Sequence, residues 1–227
     1  MRSKGKPETR STPNRGGMRN YDREGTRRNI LEIASEEFAL NGLSGARIDE
    51  IAARTRASKR MIYYYFDDKD GLYLAALENA YRQVREGEAK LDTRGLPPID
   101  ALRRLVEFTF DHHQSHEAFI RMVMIENIHH GNYLDRSEVI RDLNARAIDN
   151  IAEIYSRGVE EGVFREGLDP LELHWQVSAL CFFNVSNRAT FSKIFGRDLG
   201  AEENVGSLRR NVAEMVLRYV TRSEKLG

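Results

Sequence analysis

The chain has 227 residues, enough for one large domain or two small ones, and its 41% hydrophobic content supports a packed core and excludes disorder throughout. Its 35 Lys+Arg balance 35 Asp+Glu, which excludes steering by net charge. The balance is local, however: residues 1–75 carry 15 Lys+Arg against 11 Asp+Glu, so the N-terminal third is the part suited to a polyanion.

Residues 1–24, rich in Gly, Pro, Arg and Lys, read as a flexible basic tail. From there almost everything follows a helical period, and no alternating strand is seen. A first helix is expected over Thr26–Leu40, with Thr26 as N-cap, Ile30, Ala34 and Phe38 on one face, and Asn41–Gly42 as the stop. Short helices follow over Arg47–Arg54 and Lys59–Tyr65, and Asp67 or Asp68 caps a fourth that carries Leu72, Ala75, Ala76 and Tyr81. After "RGLPP" a fifth helix spans 99–114, and "EAFIRMVMIENI" makes a strongly apolar sixth. "HHGNY" interrupts before a long helix over 135–161. "LDP" opens another through "LELHWQVSALCFFNVSNRATFSKIF", and a last helix runs over Glu202–Thr221 with a stripe of Leu208, Val212, Met215, Val216 and Tyr219. The fold class is all-α. The single cysteine, Cys181, allows no intrachain disulfide. With no apolar signal segment or membrane-length run, the expected compartment is the cytoplasm.

The second and third helices, joined by Thr55–Arg56–Ala57, form a helix-turn-helix: Ile48, Ile51 and Ala52 face Ile62 and Phe66. Neither helix is long enough to be stable alone. Three helix starts carry cations: Arg27 and Arg28, then Arg47, then Lys59 and Arg60. The helix dipole disfavours each by about 0.3–1 kcal/mol. An external anion explains all three, and DNA phosphate is drawn both to helix N-termini and to Arg and Lys. Solvated surface cations are the plainer alternative.

The run "TRRNILEIASEEFALNGLSGARIDEIAARTRASKRMIYYYFDDKDGL" resembles the DNA-binding domain of the TetR family of bacterial transcriptional regulators. The resemblance rests on "F-A-x-x-G", "I-x-x-I-A", "S-K-x-x-x-Y-x-Y-F" and an acidic residue followed by "K-x-x-L", in that order. It implies that Ser58 caps a recognition helix, that Lys59, Arg60, Met61 and Tyr63 or Tyr64 face the DNA groove, that Tyr65 and Lys69 touch phosphate, and that Phe66 is core. Alternatively, two of the three tyrosines are simply core. The sequence departs from the family at Arg56, where glycine is usual, and at Ala46, where a Thr or Ser N-cap is usual.

The resemblance also implies a helix-turn-helix domain over 25–72 and a helical ligand-binding, dimerising domain over 73–227. The expected partners are a double-stranded DNA operator, a small-molecule effector and a second copy of the chain. The expected mode is repression, relieved by the effector. "VSALCFFNV" at 177–185, apolar nearly all round, is a candidate dimer helix. Polar residues on apolar helices mark a candidate pocket: Arg121, Asn127, Asn184 and Asn187, with Phe110, Met124 and Trp175 as walls. Against this, Arg121 has Glu117 four residues earlier for an ion pair, and the asparagines are equally read as satisfied core residues.

His112, His113 and His116, with Glu126 and His129, give metal-like spacings, but no second "ExxH" or "HExxH" completes a site. No nucleophile–base set, Walker loop or dinucleotide fingerprint appears, so no cofactor is expected and catalysis has no support. The rival readings are a DNA-binding factor whose C-terminal domain engages a protein, and a helical metal-binding protein or enzyme.

Overall fold

The computed structural model describes residues 15–55 and 57–222. Among these are ten α-helices and one 3-10 turn: α1 (Arg15–Gly45), α2 (Ile48–Thr55), α3 (Lys59–Phe66), α4 (Lys69–Ala89), α5 (Pro98–Ser115), α6 (Glu117–Ile128), the turn Leu134–Arg136, α7 (Glu138–Glu160), α8 (Pro170–Ser186), α9 (Arg188–Phe195) and α10 (Glu202–Val220). The only extended pairing among the described residues is the bridge Phe164–Thr221, which ties the α7–α8 loop to the end of α10. The all-α architecture read from the periodicity is what the chain adopts.

Two boundaries differ from expectation. The first helix begins at Arg15, not Thr26, and passes Gly42 as a kink (φ 65°, ψ 174°) before ending at Gly45. Once a helical segment is held by packing, each added residue gains a backbone hydrogen bond without a new nucleation step. The buried stretch Ile30–Ala39 supplies that held segment. Residues 1–14 of the expected basic tail lie outside the described residues. The stretch from Pro170 to Phe195, expected as one helix, is two, joined at Asn187 (φ −105°, ψ −1°). Asn competes with the helix through its own side-chain hydrogen bonds and favours ends over interiors. Here its Nδ2 donates to Ser186 Oγ at 2.9 Å.

The caps account for most other boundaries. Ser58 Oγ accepts from the Met61 N–H at 3.2 Å, and Asp68, not Asp67, caps α4 by accepting from the Gly71 N–H at 2.7 Å. Ser137 caps α7 and Asp169 caps α8, with Pro170 in the first turn.

There are two cores. One gathers α1–α4 around Phe38, Ile51, Ile62 and Leu72, and takes in Met122 of α6 and Ile140 of α7. The other joins α5, α7, α8 and α10 around Phe110, Ile151, Val177 and Val216. The first core continues along α4 to Leu77, so the expected division at residue 72 falls inside continuous packing. A buried polar joint reinforces it. Glu126, 1% exposed, accepts from Tyr73 Oη at 2.9 Å and from the Tyr133 N–H at 3.1 Å. Tyr133 Oη in turn donates to Asp70 at 2.8 Å.

Candidate nucleic-acid and effector sites

The helix-turn-helix is built on Ile48, Ile51, Ala57, Ile62 and Phe66, all buried, with Ala52 half-buried where α2 and α3 meet. Thr55 bridges the turn: its Oγ1 donates to Ile51 O at 2.8 Å and accepts from the Ala57 N–H at 3.4 Å. Arg56, where the family has glycine, lies outside the described residues. At Ala46, the missing hydroxyl cap is replaced from another helix. Glu37, buried on α1, accepts from the Arg47 N–H at 3.1 Å and from Asn41 Nδ2 at 3.0 Å. A carboxyl at the positive end of α2 is favourable. Glu37 had a signal in the sequence: it follows Ile30 and Ala34 at helical spacing, an acidic residue inside an apolar stripe.

The joint between α3 and α4 is tight. Asp67 has φ 63° and ψ −61°, and the Asp68 N–H bonds back to Phe66 O at 2.8 Å, a strained γ-turn. Gly71 lies so close that a Cβ there would be 2.2 Å from Phe66 O. This fixes the angle between the two helices.

Of the predicted interface residues, Lys59, Arg60, Met61, Tyr63 and Tyr64 of α3 are exposed, Tyr64 to 74%. Tyr65 is half-buried, its ring 5.6 Å from that of Tyr64. None of the three tyrosines is buried in the core, and the inward side of α3 is Ile62 and Phe66. Arg27, which lies inside α1 and not at its start, is 5.3 Å over the Phe66 ring and so ties the middle of α1 to the end of α3. Arg28 is exposed, and Arg47 is 3.9 Å from Glu50. Two cations are engaged within the protein. Lys59 Nζ is 2.5 Å from Asp49, and Lys69 Nζ donates to Ser44 O at 3.2 Å. The unfavourable placement of Lys59 is thus partly answered by an acid in the first turn of α2. An exposed pair of this kind contributes about 0–1 kcal/mol and is readily exchanged for a phosphate.

The seven residues predicted to form a pocket are not brought together. Phe110 is wholly buried in the second core, and Trp175 is 71% exposed on the outside of α8. Arg121 is exposed and paired with Glu117 at 3.0 Å, the ion pair that its spacing allowed. Asn127 is exposed, Met124 half-buried, and Asn187 is at the α8–α9 joint. Asn184 donates to Leu180 O at 2.7 Å and borders a surface cleft of about 400 Å³ with Leu208, Asn211 and Met215, which none of the other six reaches.

A different polar group is buried among α4, α5, α7 and α8. Arg85 holds Glu88 and donates to Asn144 Oδ1 at 2.9 Å. His112 and His113 are each only 7% exposed. Burial, first, and the neighbouring cations and imidazoles, second, push His112 down to about 3. Burial does the same to His113 and His174, each to about 4, although the Cys181 backbone partly opposes it at His113. His112 stacks on His116 at 3.9 Å. Glu126 is turned towards Tyr73 and Tyr133, and among the described residues no three His, Cys, Asp or Glu side chains converge to hold a metal ion. Sequence spacing had grouped these residues by type, and only the packing of four helices separates Glu126 from the histidines.

Two family models match the chain: bacterial regulatory proteins of the tetR family over residues 30–76, and the tetracyclin repressor-like C-terminal domain over residues 98–216. The chain belongs to the TetR family. It is 32% identical over 215 residues to the HTH-type transcriptional repressor NicS of Pseudomonas putida strain KT2440, covering 95% of this chain and 100% of that one. It is 28% identical to the HTH-type transcriptional repressor SCO4008 of Streptomyces coelicolor, over 88% and 98% of the two chains. In fold it is similar to a transcriptional regulator from Saccharomonospora viridis solved in complex with choline, with a TM-score of 0.67, 23% identity, and coverage of 88% and 99%. The TetR chain is a DNA-binding transcriptional regulator and not an enzyme. Among the described residues no helix is long and apolar enough to cross a membrane.

Proposed function

We propose that this TetR chain is a cytoplasmic, homodimeric repressor that grips a near-palindromic operator through α3 and is released by a small molecule. The observation that carries the DNA half is the outward face of α3. Eight residues leave Arg60, Met61, Tyr63 and Tyr64 in solvent while Ile62 and Phe66, with half-buried Tyr65, pack on the core. Exposed aromatics and a methionine on so short a helix are unfavourable unless something covers them. A recognition helix uses such side chains on base edges and sugar–phosphate. Repression is favoured by the two relatives described as repressors. A small effector is favoured by the choline-bound neighbour.

The dimer half rests on α8, which carries two apolar stripes. Leu173, Val177, Cys181 and Val185 face the core, and Leu171, Trp175, Ala179 and Phe183, spaced by four, face solvent. Met215 and Tyr219 of α10 are exposed too, and with Leu173, Gln176 and Leu180 they line a shallow cleft between the helices. Together they make a face suited to a second copy across a two-fold axis, α8 and α10 from each subunit forming four helices.

The test combines sedimentation velocity with operator binding. The wild type is expected to be a dimer that protects two half-sites with centres about 34–36 Å apart, or a multiple. Trp175→Glu with Met215→Glu is expected to give a folded monomer with weak operator binding. A wild-type monomer that binds DNA specifically would overturn the proposal.

A further inference from the structure

We propose that the effector site is the buried polar cluster formed by Arg85, His112 and His113, and that its occupant is an uncharged planar ring bearing both a hydrogen-bond acceptor and a donor, as an aromatic amide does. The inference deepens the regulatory reading above and depends on it only for the consequence on DNA.

The cluster is assembled by helical spacing. Tyr81, Arg85 and Glu88 stand at i, i+4 and i+7 on one face of α4. His112 and His116 stand at i and i+4 on α5. Four nitrogens in it are buried and have no hydrogen-bond partner among the described residues: Arg85 Nε, both ring nitrogens of His112, and His113 Nδ1. Buried polar atoms are nearly always paired, so this concentration in one place is the observation that calls for a ligand. Nothing in the core requires these residue types, since the neighbouring positions of α5 are Leu105, Val106, Thr109 and Phe110.

The donor and acceptor pattern sets the chemistry. Arg85 Nε–H needs an acceptor. A neutral imidazole offers one donor and one acceptor, so His112 asks for both. Formal charge is already balanced, because Arg85 is held by Glu88 and the buried histidines stay neutral. An anion placed here would lie beside the Glu88 carboxylate with no cation of its own. The walls are rings: Phe119 lies 5.2 Å from Tyr81 and 6.1 Å from His112, and Phe108 lies 5.8 Å from His112. Such walls accept a flat molecule edge-on or offset-stacked.

The Arg85 end of the cluster is open to the outside, while His112 and His113 lie behind it. A cleft of about 610 Å³ between the end of α4 and α7 is lined by Arg85 and Glu88 together with Leu91, Thr93, Leu143 and Ala147. That volume is within the range of small-molecule sites. Phe108, packed on Gly87 so closely that a Cβ there would be 2.5 Å from its ring, closes the α4–α5 side. A ligand held by Arg85 therefore touches the same helix whose first turn sets α3.

The experiment uses the full chain, 15N-labelled at histidine, and three isosteric probes: benzamide, benzoate and toluene. Benzamide is expected to move the ring-nitrogen resonances of His112 and to raise the melting temperature. Benzoate is expected to bind at least tenfold more weakly, and toluene to leave the ring nitrogens where they are. His112→Phe keeps a ring in place and removes both nitrogens. It is expected to fold with equal or greater thermal stability and to lose at least tenfold in benzamide affinity. Wild-type His112 resonances that do not respond to benzamide, or benzoate binding as tightly as benzamide, would overturn the proposal without requiring any variant to fold. A protein that binds benzamide at His112 but no operator DNA would overturn the regulatory reading and leave the site standing.

Discussion

Replacing Tyr73 by phenylalanine removes one oxygen from the joint between the DNA-binding helices and the rest of the molecule. The ring contacts remain: Tyr73 lies edge-on to Phe38 at 5.0 Å and to Tyr133 at 4.9 Å, and phenylalanine keeps both. What is lost is the 2.9 Å hydrogen bond to Glu126, whose carboxyl is 1% exposed and otherwise accepts only from the Tyr133 N–H. Water cannot readily replace the missing donor. The loss is therefore that of a buried hydrogen bond plus part of the desolvation of its acceptor, about 1–3 kcal/mol. For a chain of this length each kcal/mol corresponds to roughly 2–4 °C, so Tyr73→Phe should melt about 2–12 °C lower. Thermal and urea unfolding of Tyr73→Phe, Glu126→Gln and the double variant measure the coupling. The expected coupling energy is about 1 kcal/mol or more, since the two side chains share one bond. A Tyr73→Phe protein within about 0.5 kcal/mol of wild type, with strictly additive double-variant behaviour, would show that this bond does not hold α4 to α6.

Gly71→Ala should destabilise the protein by about 1–3 kcal/mol and weaken operator binding, because its Cβ meets the Phe66 carbonyl at 2.2 Å and α3 must shift; paired urea unfolding and gel-shift titration check both effects. Arg60→Ala should cost about 1–3 kcal/mol on the operator and little on random DNA, whereas Lys69→Ala should weaken both and reduce the salt slope by about one, as read from binding isotherms at several salt concentrations. Acid should destabilise the fold below about pH 6. His112, His113 and His174 titrate at about 3, 4 and 4 when folded and near 6.5 when unfolded, so the unfolded chain binds more protons in that window. The groups facing them are Arg85, His116 and one another, and the Cys181 backbone at His113 opposes the shift only in part. Each fully buried histidine should remove on the order of 1–2 kcal/mol between pH 7 and pH 5, measured by urea unfolding, and His112→Phe should flatten the slope.

The helix-turn-helix was legible because its signals are local. Ser58 as a cap, Ile62 and Phe66 as the inward pair and Lys59 and Arg60 at the start of α3 can each be read within a few residues and are found there, whereas Arg27 and Arg28, expected at a helix start, lie inside α1. What the sequence did not reveal was what neighbouring helices do to those residues. Lys59 meets Asp49, ten residues earlier, and Lys69 meets the Ser44 carbonyl, 25 residues earlier. The expected pocket does not form for a related physical reason: polar residues on apolar helices need not face inward, and Arg121, Asn127 and Trp175 are on the outside. The better signal was an ionisable residue at a position where the helical period demands an apolar one. Glu37, Arg85, Glu88, His112 and Glu126 all fit that description, and all are buried or nearly so.

On the proposed function, α4 is the element that would couple effector to DNA. Its first turn is pinned to α3 by the γ-turn at Asp67 and the close approach of Gly71. Its second turn is tied through Tyr73 to Glu126 of α6, its third through Glu78 to Ser137 at the start of α7 at 2.7 Å, and its fifth through Arg85 to Asn144. A rigid helix held at four points along its length cannot tilt at one end alone. A ligand that draws Arg85 away from Asn144 must either break the Glu126 and Glu78 bonds or swing α3 with them. Breaking both would cost about 1–3 kcal/mol or more, so the swing is the cheaper response wherever the two α3 helices of a dimer are free to move. DNA opposes the swing by holding both helices in register. On the proposed function, effector and operator would compete through the tilt of α4, and by linkage each would weaken the other by the same factor.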